Sequence, residues 1–398
     1  MSVDHSQTNL MNNQTTNILN EMEEEMASVK NTKETLRKQL TKEPLPEFRN
    51  KVFPLEKELF ECLNMEWGVD VISEDFPLTD ANNNINFIHM IRTANPVPTK
   101  ENFLLIHGFL SSSLHYICVL PYLIKRYNVF IPDTLGMGLS SRPQITFTSP
   151  FQCEKFFLDV YHILISELFF KGRFNIKKEY YLCGHSLGGF IASRYMLQYP
   201  IGIKKVLLLS PAGITDYRIP GTDFFEHTRC CWYCTIVCCP TFVWPCKLRL
   251  QSAYNCCCCH SKIKQAYGNK RIHLFESEIK NNPDGSKFNV DYPRVSSILK
   301  ELTSLSLDYP KDLYKCAFYL FGVPPPAAYF PIEKRIMMEN KIDIIFAFGE
   351  KDWMDRTGAY RLSKYNPSQY KVFTISKGGH SFARQNPEEL CSIIGEFF

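Results

Sequence analysis

Residues 180–190 read YYLCGHSLGGF, an apolar run followed by glycines that surround a serine. An apolar run that passes into Gly-x-Ser-x-Gly predicts a strand that turns sharply into a helix, with Ser186 at the tip of the turn. Gly184 and Gly188 leave room for neighbouring backbone to approach this turn closely. The stretch therefore predicts that Ser186 exposes its hydroxyl in strained backbone geometry.

Further apolar runs recur along the chain, bounded by turn residues. The expected strands are 66–72, 85–91, 103–106, 128–131, 179–182, 206–209, 343–348 and 370–375. Helix-compatible segments stand between them, including 150–170 and 187–199, and a closing helix is expected near 387–398. Strands that alternate with helices predict an α/β fold with a mostly parallel, eight-stranded sheet and helices on both faces.

The 398 residues divide by composition into four segments. Residues 1–48 are polar and predict a disordered or helical tail, the alternative being an amphipathic helix that touches a membrane or a partner. Residues 49–211 and 336–398 hold the strand pattern and predict the two parts of the core. Residues 212–335 interrupt it for longer than an ordinary connection, which predicts an inserted cap or lid.

Charge and hydropathy exclude several classes of protein. A net charge of +4 does not indicate the excess of basic residues that is typical of nucleic-acid-binding proteins. The polar, Asn/Gln-rich start lacks the layout of a secretory signal. No apolar stretch reaches the roughly 18 residues that span a bilayer. We therefore expect an intracellular, cytoplasmic protein whose membrane association is peripheral.

A serine hydroxyl becomes a nucleophile when a base and an orienting carboxylate are at hand, and both are expected at strand ends. His380 follows the last expected strand and two glycines, which predicts that it is the base. Asp352 follows the strand 343–348 and is the candidate acid, with Glu350 and Asp355 as nearby competitors. The other histidines, including His185, lack this position and are expected to pack or to lie on the surface.

Two backbone N–H groups are candidates for an oxyanion hole. Strand 103–106 runs into His107-Gly108-Phe109, where the Phe109 N–H is expected to point at the nucleophile. Leu187 begins the helix after the serine, where unpaired donors and the helix dipole favour negative charge. The chain order serine, aspartate, histidine is the order of an α/β-hydrolase. This machinery requires no metal or other cofactor.

Several short motifs together resemble one subgroup of the α/β-hydrolases. They are Thr134–Pro143, Cys183–Phe190, Ser210–Gly213, Asn282–Gly285 and Asp352–Met354. The subgroup holds the N-acyl-phosphatidylethanolamine lysophospholipase, the lipid-droplet lipase coactivator and the fungal cardiolipin deacylase. The resemblance implies a hydrolase of fatty-acyl esters whose substrate is a glycerophospholipid or lysophospholipid at a membrane or lipid-droplet surface.

Two positions separate this chain from parts of that subgroup. The coactivator branch carries asparagine at the nucleophile, whereas this chain has Ser186, which favours the catalytic branch. Many members carry an aspartate five residues after the catalytic histidine, a pattern linked with acyl transfer to lysophospholipids, and this chain has Gln385 there. A coactivator-like regulator and a lysophospholipid acyltransferase remain the alternative functions.

Ten of the sixteen cysteines lie between Cys230 and Cys259, inside the expected cap. Reversible acylation beside aromatic and basic residues would anchor the cap to a bilayer surface. Zinc binding through Cys231 and Cys234, or disulfide formation, is less consistent with the clustered spacing and the expected compartment. Simple packing of small apolar side chains is the remaining interpretation.

Overall fold

The computed structural model describes residues 49–79, 85–109, 111–143, 145, 147–216, 292–307 and 330–398, with single positions at 32, 316, 320, 321 and 328. Within these residues the chain forms an eight-stranded sheet with helices on both sides. The tail before residue 49 lies outside this description apart from Thr32, and so does the cysteine-rich segment 230–259. The expectations for those segments, and the fourfold domain division, stay predictions.

The strands run in the spatial order β1-β2-β4-β3-β5-β6-β7-β8. Their bounds are β1 (Val71–Thr79), β2 (Ile85–Thr93), β3 (Glu101–Ile106), β4 (Tyr127–Pro132), β5 (Tyr180–His185), β6 (Ile203–Leu209), β7 (Asp343–Gly349) and β8 (Tyr370–Ile375). β2 is antiparallel to both β1 and β4, and the pairs from β4 to β8 are parallel. The predicted eight-stranded, mostly parallel sheet is confirmed.

Helices connect the strands and cover the sheet. They are α1 (Arg49–Cys62), α2 (Leu120–Arg126), α3 (Pro150–Ile165), α4 (Leu187–Gln198), α5 (Tyr292–Leu307), α6 (Glu333–Glu339), α7 (Thr357–Tyr365), α8 (Phe382–Gln385) and α9 (Pro387–Phe397). The predicted segments 150–170, 187–199 and 387–398 correspond to α3 with a π turn at Ser166–Phe170, to α4 and to α9. No helix in these ranges combines the length and apolar character that crossing a membrane requires.

β3 shows why helices lie on both faces. Successive strand side chains point to opposite faces, and every residue from Phe103 to Ile106 is buried. Leu104 and Ile106 join the core beneath α3 and α4, whereas Phe103 and Leu105 join the core beneath α1, α2, α5 and α9. An apolar run without alternation is the pattern of a strand covered on both sides, as in parallel sheets.

The first strand differs from the prediction. Residues 66–70 form a turn in which the Glu66 N–H donates to the Asp70 carboxylate at 2.8 Å, and the strand begins at Val71. The strand continues through Glu74, Asp75 and Pro77, which break the apolar pattern that was used to find strands. β1 lies at the edge of the sheet, where proline is tolerated because one side of the strand pairs with no other described strand.

Candidate active site

Ser186 occupies the tip of the turn between β5 and α4. Its backbone has φ 55° and ψ −115°, a conformation that non-glycine residues seldom adopt. A Cβ on Gly184 would lie 2.3 Å from the Gly188 carbonyl oxygen, and one on Gly188 would lie 2.3 Å from the Ile106 carbonyl oxygen. The turn is therefore compressed against its surroundings, which hold the serine in a strained, partly buried position.

His380 lies between Ser186 and Asp352. Its Nε2 is 3.0 Å from the Ser186 Oγ, and its Nδ1 is 2.9 Å from the Asp352 Oδ1. A carboxylate can only accept, so the Nδ1–H donates to Asp352 and the Nε2 lone pair accepts from the serine hydroxyl. The three residues follow β5, β7 and β8 and meet at the carboxyl ends of the parallel strands, where α/β sheets place their ligand crevices.

The Asp352 carboxylate is completely buried and well supplied with hydrogen bonds. It accepts from the Ser210 hydroxyl and, at 3.0 Å, from the Met354 N–H, in addition to the imidazole. Burial alone would raise the pKa of Asp352, but the charge and hydrogen bond of His380 and the bonds from Ser210 and Met354 together lower it. The group is thus held as a carboxylate that can orient an imidazole.

The two competing carboxylates have other partners. Glu350 accepts from the Lys377 N–H at 2.8 Å, and Asp355 accepts from the Thr357 N–H at 2.8 Å and its hydroxyl at 2.6 Å. The Asp355 contacts lie within one turn, whereas the Glu350 contact joins the loops that follow β7 and β8. Among the three carboxylates that the sequence offered, Asp352 is the one that the structure brings to His380.

The turn after β3 packs directly against the nucleophile. A Cβ on Gly108 would lie 3.1 Å from the Ser186 Cβ, so Phe109 follows at a point close to the serine. Leu187 is the first residue of α4, where backbone N–H groups have no carbonyl partner within the helix. Leu187 follows Ser186 directly and Phe109 follows the Gly108 turn that borders it, and the role of both N–H groups as oxyanion donors stays a prediction.

His107 fixes the shape of that turn rather than contacting the serine. The Thr134 N–H donates to His107 Nε2 at 2.8 Å, so the other nitrogen carries the proton. The Nδ1–H then donates to the Gly108 carbonyl at 2.8 Å. A neutral, fully buried imidazole thereby holds one orientation of the peptide that leads to Phe109.

Sequence reasoning did not find the role of Ser210, which it noted only within a family motif. Ser210 directly follows β6, at the same sheet edge as the other site residues. Its strand-end position was a usable signal, since the carboxyl ends of neighbouring parallel strands meet at one edge of the sheet. The hydroxyl supports the acid and does not face the nucleophile.

His185 was expected to pack or to lie on the surface, and it is buried behind the site. Its Nε2 lies 2.7 Å from the His380 carbonyl oxygen. Its ring stacks on His115, with the centroids 4.0 Å apart and the planes at 19°. On the other side of His380, Trp353 lies with its ring centroid 4.8 Å away and is 42% exposed.

Within the described ranges, no cluster of three or more His, Cys, Asp or Glu side chains could hold a metal ion. The candidate zinc ligands Cys231 and Cys234 lie outside them. The groups assembled around Ser186 supply a nucleophile, a base within hydrogen-bond reach and an oriented carboxylate. Such an arrangement can transfer an acyl group through a covalent intermediate.

Comparison with known proteins agrees with this architecture. The family model described as "alpha/beta hydrolase fold" matches residues 101–228. The chain has the α/β-hydrolase fold. Among solved structures, this chain is similar to the carboxylesterase CesB of Bacillus subtilis, with a TM-score of 0.51, 13% identity, and coverage of 88% of this chain and 98% of that one. A likeness at this identity concerns the fold.

Several curated relatives of this chain are named for acyl transfer, and others are named as lipases. A "1-acylglycerol-3-phosphate O-acyltransferase" of Arabidopsis thaliana is 24% identical over 291 residues, which cover 73% of this chain and 64% of the relative. The "1-acylglycerol-3-phosphate O-acyltransferase ABHD5" of Homo sapiens is 23% identical over 315 residues, which cover 79% of this chain and 82% of the relative. The chain thus spans less than two thirds of the plant relative's length.

Proposed function

We propose that this α/β-hydrolase is a serine esterase that cleaves fatty-acyl esters of a glycerophospholipid or lysophospholipid through an acyl-enzyme. One observation carries the proposal: His380 lies 3.0 Å from the Ser186 hydroxyl and 2.9 Å from a buried carboxylate. In this geometry a proton can leave the serine as its oxygen attacks, and the resulting imidazolium is stabilised by Asp352.

The proposed reaction has two halves. Ser186 Oγ bonds to the acyl carbonyl carbon while His380 Nε2 takes the hydroxyl proton, and the N–H groups of Phe109 and Leu187 hold the oxyanion. The ester C–O bond then breaks, and His380 gives its proton to the departing alcohol oxygen. Water attacks the acyl-serine with His380 again as base, which releases a fatty acid and restores Ser186.

Two findings support a lipid substrate. The curated relatives carry names that specify 1-acylglycerol-3-phosphate, a lysophospholipid. Beside the imidazole, the half-exposed Trp353 offers an apolar surface with a single polar group, which suits a hydrocarbon chain more than a polar substrate. A lipid or membrane surface is therefore the proposed partner, reached by peripheral association.

The test measures fatty-acid release by the purified full chain from vesicles of lysophospholipid and of diacyl phospholipid. We expect release by the wild type and a loss of at least about 10⁴-fold in Ser186→Ala, because the serine supplies the covalent intermediate. Ser193→Ala is the matched control: Ser193 lies on α4, is fully buried and donates to the Gly189 carbonyl. Equal release by wild type and Ser186→Ala would contradict the proposal.

Acyl transfer is a second candidate because of the relatives' names. It shares the acyl-enzyme and differs in the acceptor, which is a lysophospholipid hydroxyl instead of water. Gln385, where the transferase pattern has aspartate, accepts from the Gly379 N–H at 2.5 Å and so has a local role in this chain. Adding 1-acylglycerol-3-phosphate to the assay separates the two: free fatty acid supports hydrolysis, and phosphatidic acid formed at its expense supports transfer.

A further inference from the structure

We propose that His185, the residue before the nucleophile, is a positioning residue that sets the distance between the base and the oxyanion turn. The inference rests on the proposed esterase function and deepens it. His185 reaches both loops from beneath: one edge of its ring faces the loop of His380, and the other edge faces Gly108.

One edge of the His185 ring binds the backbone of His380. The Nε2–H of His185 donates to the His380 carbonyl oxygen at 2.7 Å, and the two rings lie 4.7 Å apart. The hydrogen bond fixes the tautomer, since a carbonyl only accepts. The preceding residue, Gly379, is held by Gln385. The loop that presents His380 is therefore anchored at consecutive residues by two side chains.

The opposite edge of the ring borders the oxyanion turn. The Nδ1 of His185 is buried, has no hydrogen-bond partner among the described residues, and lies 2.8 Å from where a Cβ on Gly108 would stand. Glycine at 108 is what lets the turn approach the ring this closely. Because His107 fixes the Gly108 carbonyl, the turn rests on His185 in one orientation. The imidazole therefore acts as a spacer between the two loops.

The spacer is itself rigid and neutral. Its other neighbour is His115, which stacks on it at 4.0 Å and meets Tyr116 edge-on at 5.0 Å, and all these rings are buried. Burial, followed by the nearby charge of His380, lowers the pKa of His185 well below its usual value. A neutral ring adds no positive charge beside the imidazolium that forms on His380 during acyl transfer.

A matched pair of variants isolates the hydrogen bond. Glutamine carries an N–H at about the position of the imidazole Nε2, whereas methionine has the same length and no donor. His185→Gln therefore keeps the bond to the His380 carbonyl, and His185→Met removes it. His162 offers the control pair, because it lies on α3, is fully buried and stacks on Tyr199 with the ring centroids 3.9 Å apart.

The first readout is kinetic. We expect His185→Met to lower kcat for ester hydrolysis by about 10²-fold with little change in KM, because a small displacement of the base slows the chemistry without altering substrate binding. His185→Gln should recover most of that loss. His162→Met and His162→Gln should retain wild-type kcat. Equal kcat in His185→Met and His162→Met would overturn the proposal, and so would equal losses in His185→Gln and His185→Met.

The second readout does not depend on turnover. The proton shared by His380 Nδ1 and Asp352 gives a far-downfield proton NMR resonance when it is held in place, and His380→Gln identifies that resonance. We expect it in the wild type and His185→Gln, and expect it to broaden or vanish in His185→Met. If the wild type shows no esterase activity, the proposed function fails, yet the NMR comparison still decides the positioning role. An unchanged resonance in His185→Met would overturn it.

Discussion

Two histidine–carboxylate clusters in the described part of the chain, those of His380 and His89, differ in whether a ring nitrogen is left to accept a proton. At the sheet edge, His380 binds one carboxylate and points its other nitrogen at Ser186. Between α1, β1 and β2, the fully buried His89 bonds Glu56 through Nε2 and Asp75 through Nδ1, each at 3.0 Å. The same residue types thus form an open site in one place and a closed ion cluster in the other.

The difference concerns whether the histidine keeps a nitrogen lone pair, which the proposed reaction requires. Burial alone would lower the pKa of His89, but the charges and hydrogen bonds of Glu56 and Asp75 raise it to about 10. The ring is then an imidazolium with both N–H groups used, so it has no lone pair to accept a proton. Asp352 instead supplies one acceptor and leaves the His380 Nε2 facing a hydroxyl. A histidine can act as a base only if one ring nitrogen has no carboxylate partner, whereas a histidine that stabilises the fold can have carboxylates on both nitrogens.

The largest expected effect concerns the open cluster. Asp352→Asn should lower kcat by about 10⁴-fold, because the amide no longer stabilises the imidazolium or the required tautomer. Initial rates of ester hydrolysis measure this loss. Glu350→Gln and Asp355→Asn are the matched controls, since these carboxylates bind the backbone N–H groups of Lys377 and Thr357 instead. A larger loss in either control would reassign the acid.

Breaking the closed cluster should affect stability and spare catalysis. Glu56→Gln leaves a buried charge without its main partner, which we expect to cost about 3–5 kcal/mol of unfolding free energy. Lys57→Gln is the control on the same helix, because the Lys57–Glu61 pair is more than half exposed and such pairs contribute about 0–1 kcal/mol. Urea unfolding compares the stabilities of the two variants. Equal unfolding midpoints would show that the cluster does not stabilise the fold.

The closed cluster also predicts a dependence of stability on alkaline pH. The folded-state pKa of His89 is about 10, above the ordinary value of 6.5. Its contribution is therefore complete below about pH 6.5 and falls as the pH rises towards 10, by up to about 1.4 kcal/mol per pH unit. Urea unfolding at several pH values measures the slope. His89→Gln should show a flatter curve, and a parallel curve would refute this assignment.

A smaller effect is expected from the hydroxyl that supports the acid. Ser210→Ala removes one hydrogen bond from Asp352, which we expect to lower kcat by about 3- to 10-fold. Because the folded state lowers the pKa of Asp352, this carboxylate stabilises the fold at pH values above the ordinary pKa of aspartate. This stabilisation is lost as the pH falls towards the lowered pKa. The acid unfolding midpoint of Ser210→Ala should accordingly move to higher pH. An unchanged midpoint and rate would mean that this contact is dispensable.

The sequence predicted the sheet and the site residues where the signal is local. Ser186, Asp352 and His380 each follow an apolar strand, so a strand-end rule finds them without knowledge of packing. The predicted position of β1 was wrong because Asp75 interrupts the apolar pattern of the strand. Only the packed structure shows that Asp75 pairs with His89. The role of His185 was equally hidden, since it depends on one loop almost 200 positions later in the chain and on the Gly108 turn that precedes it.

The central claim is that Ser186 is a nucleophile activated by His380. The most direct measurement incubates the purified chain with a fluorophosphonate probe, maps the adduct by mass spectrometry, and compares the labelling rates of wild type, His380→Gln and Glu56→Gln. We predict an adduct on Ser186, a loss of labelling in His380→Gln and an unchanged rate in folded Glu56→Gln. Undiminished labelling in His380→Gln, or a wild-type adduct confined to other residues, would contradict the claim.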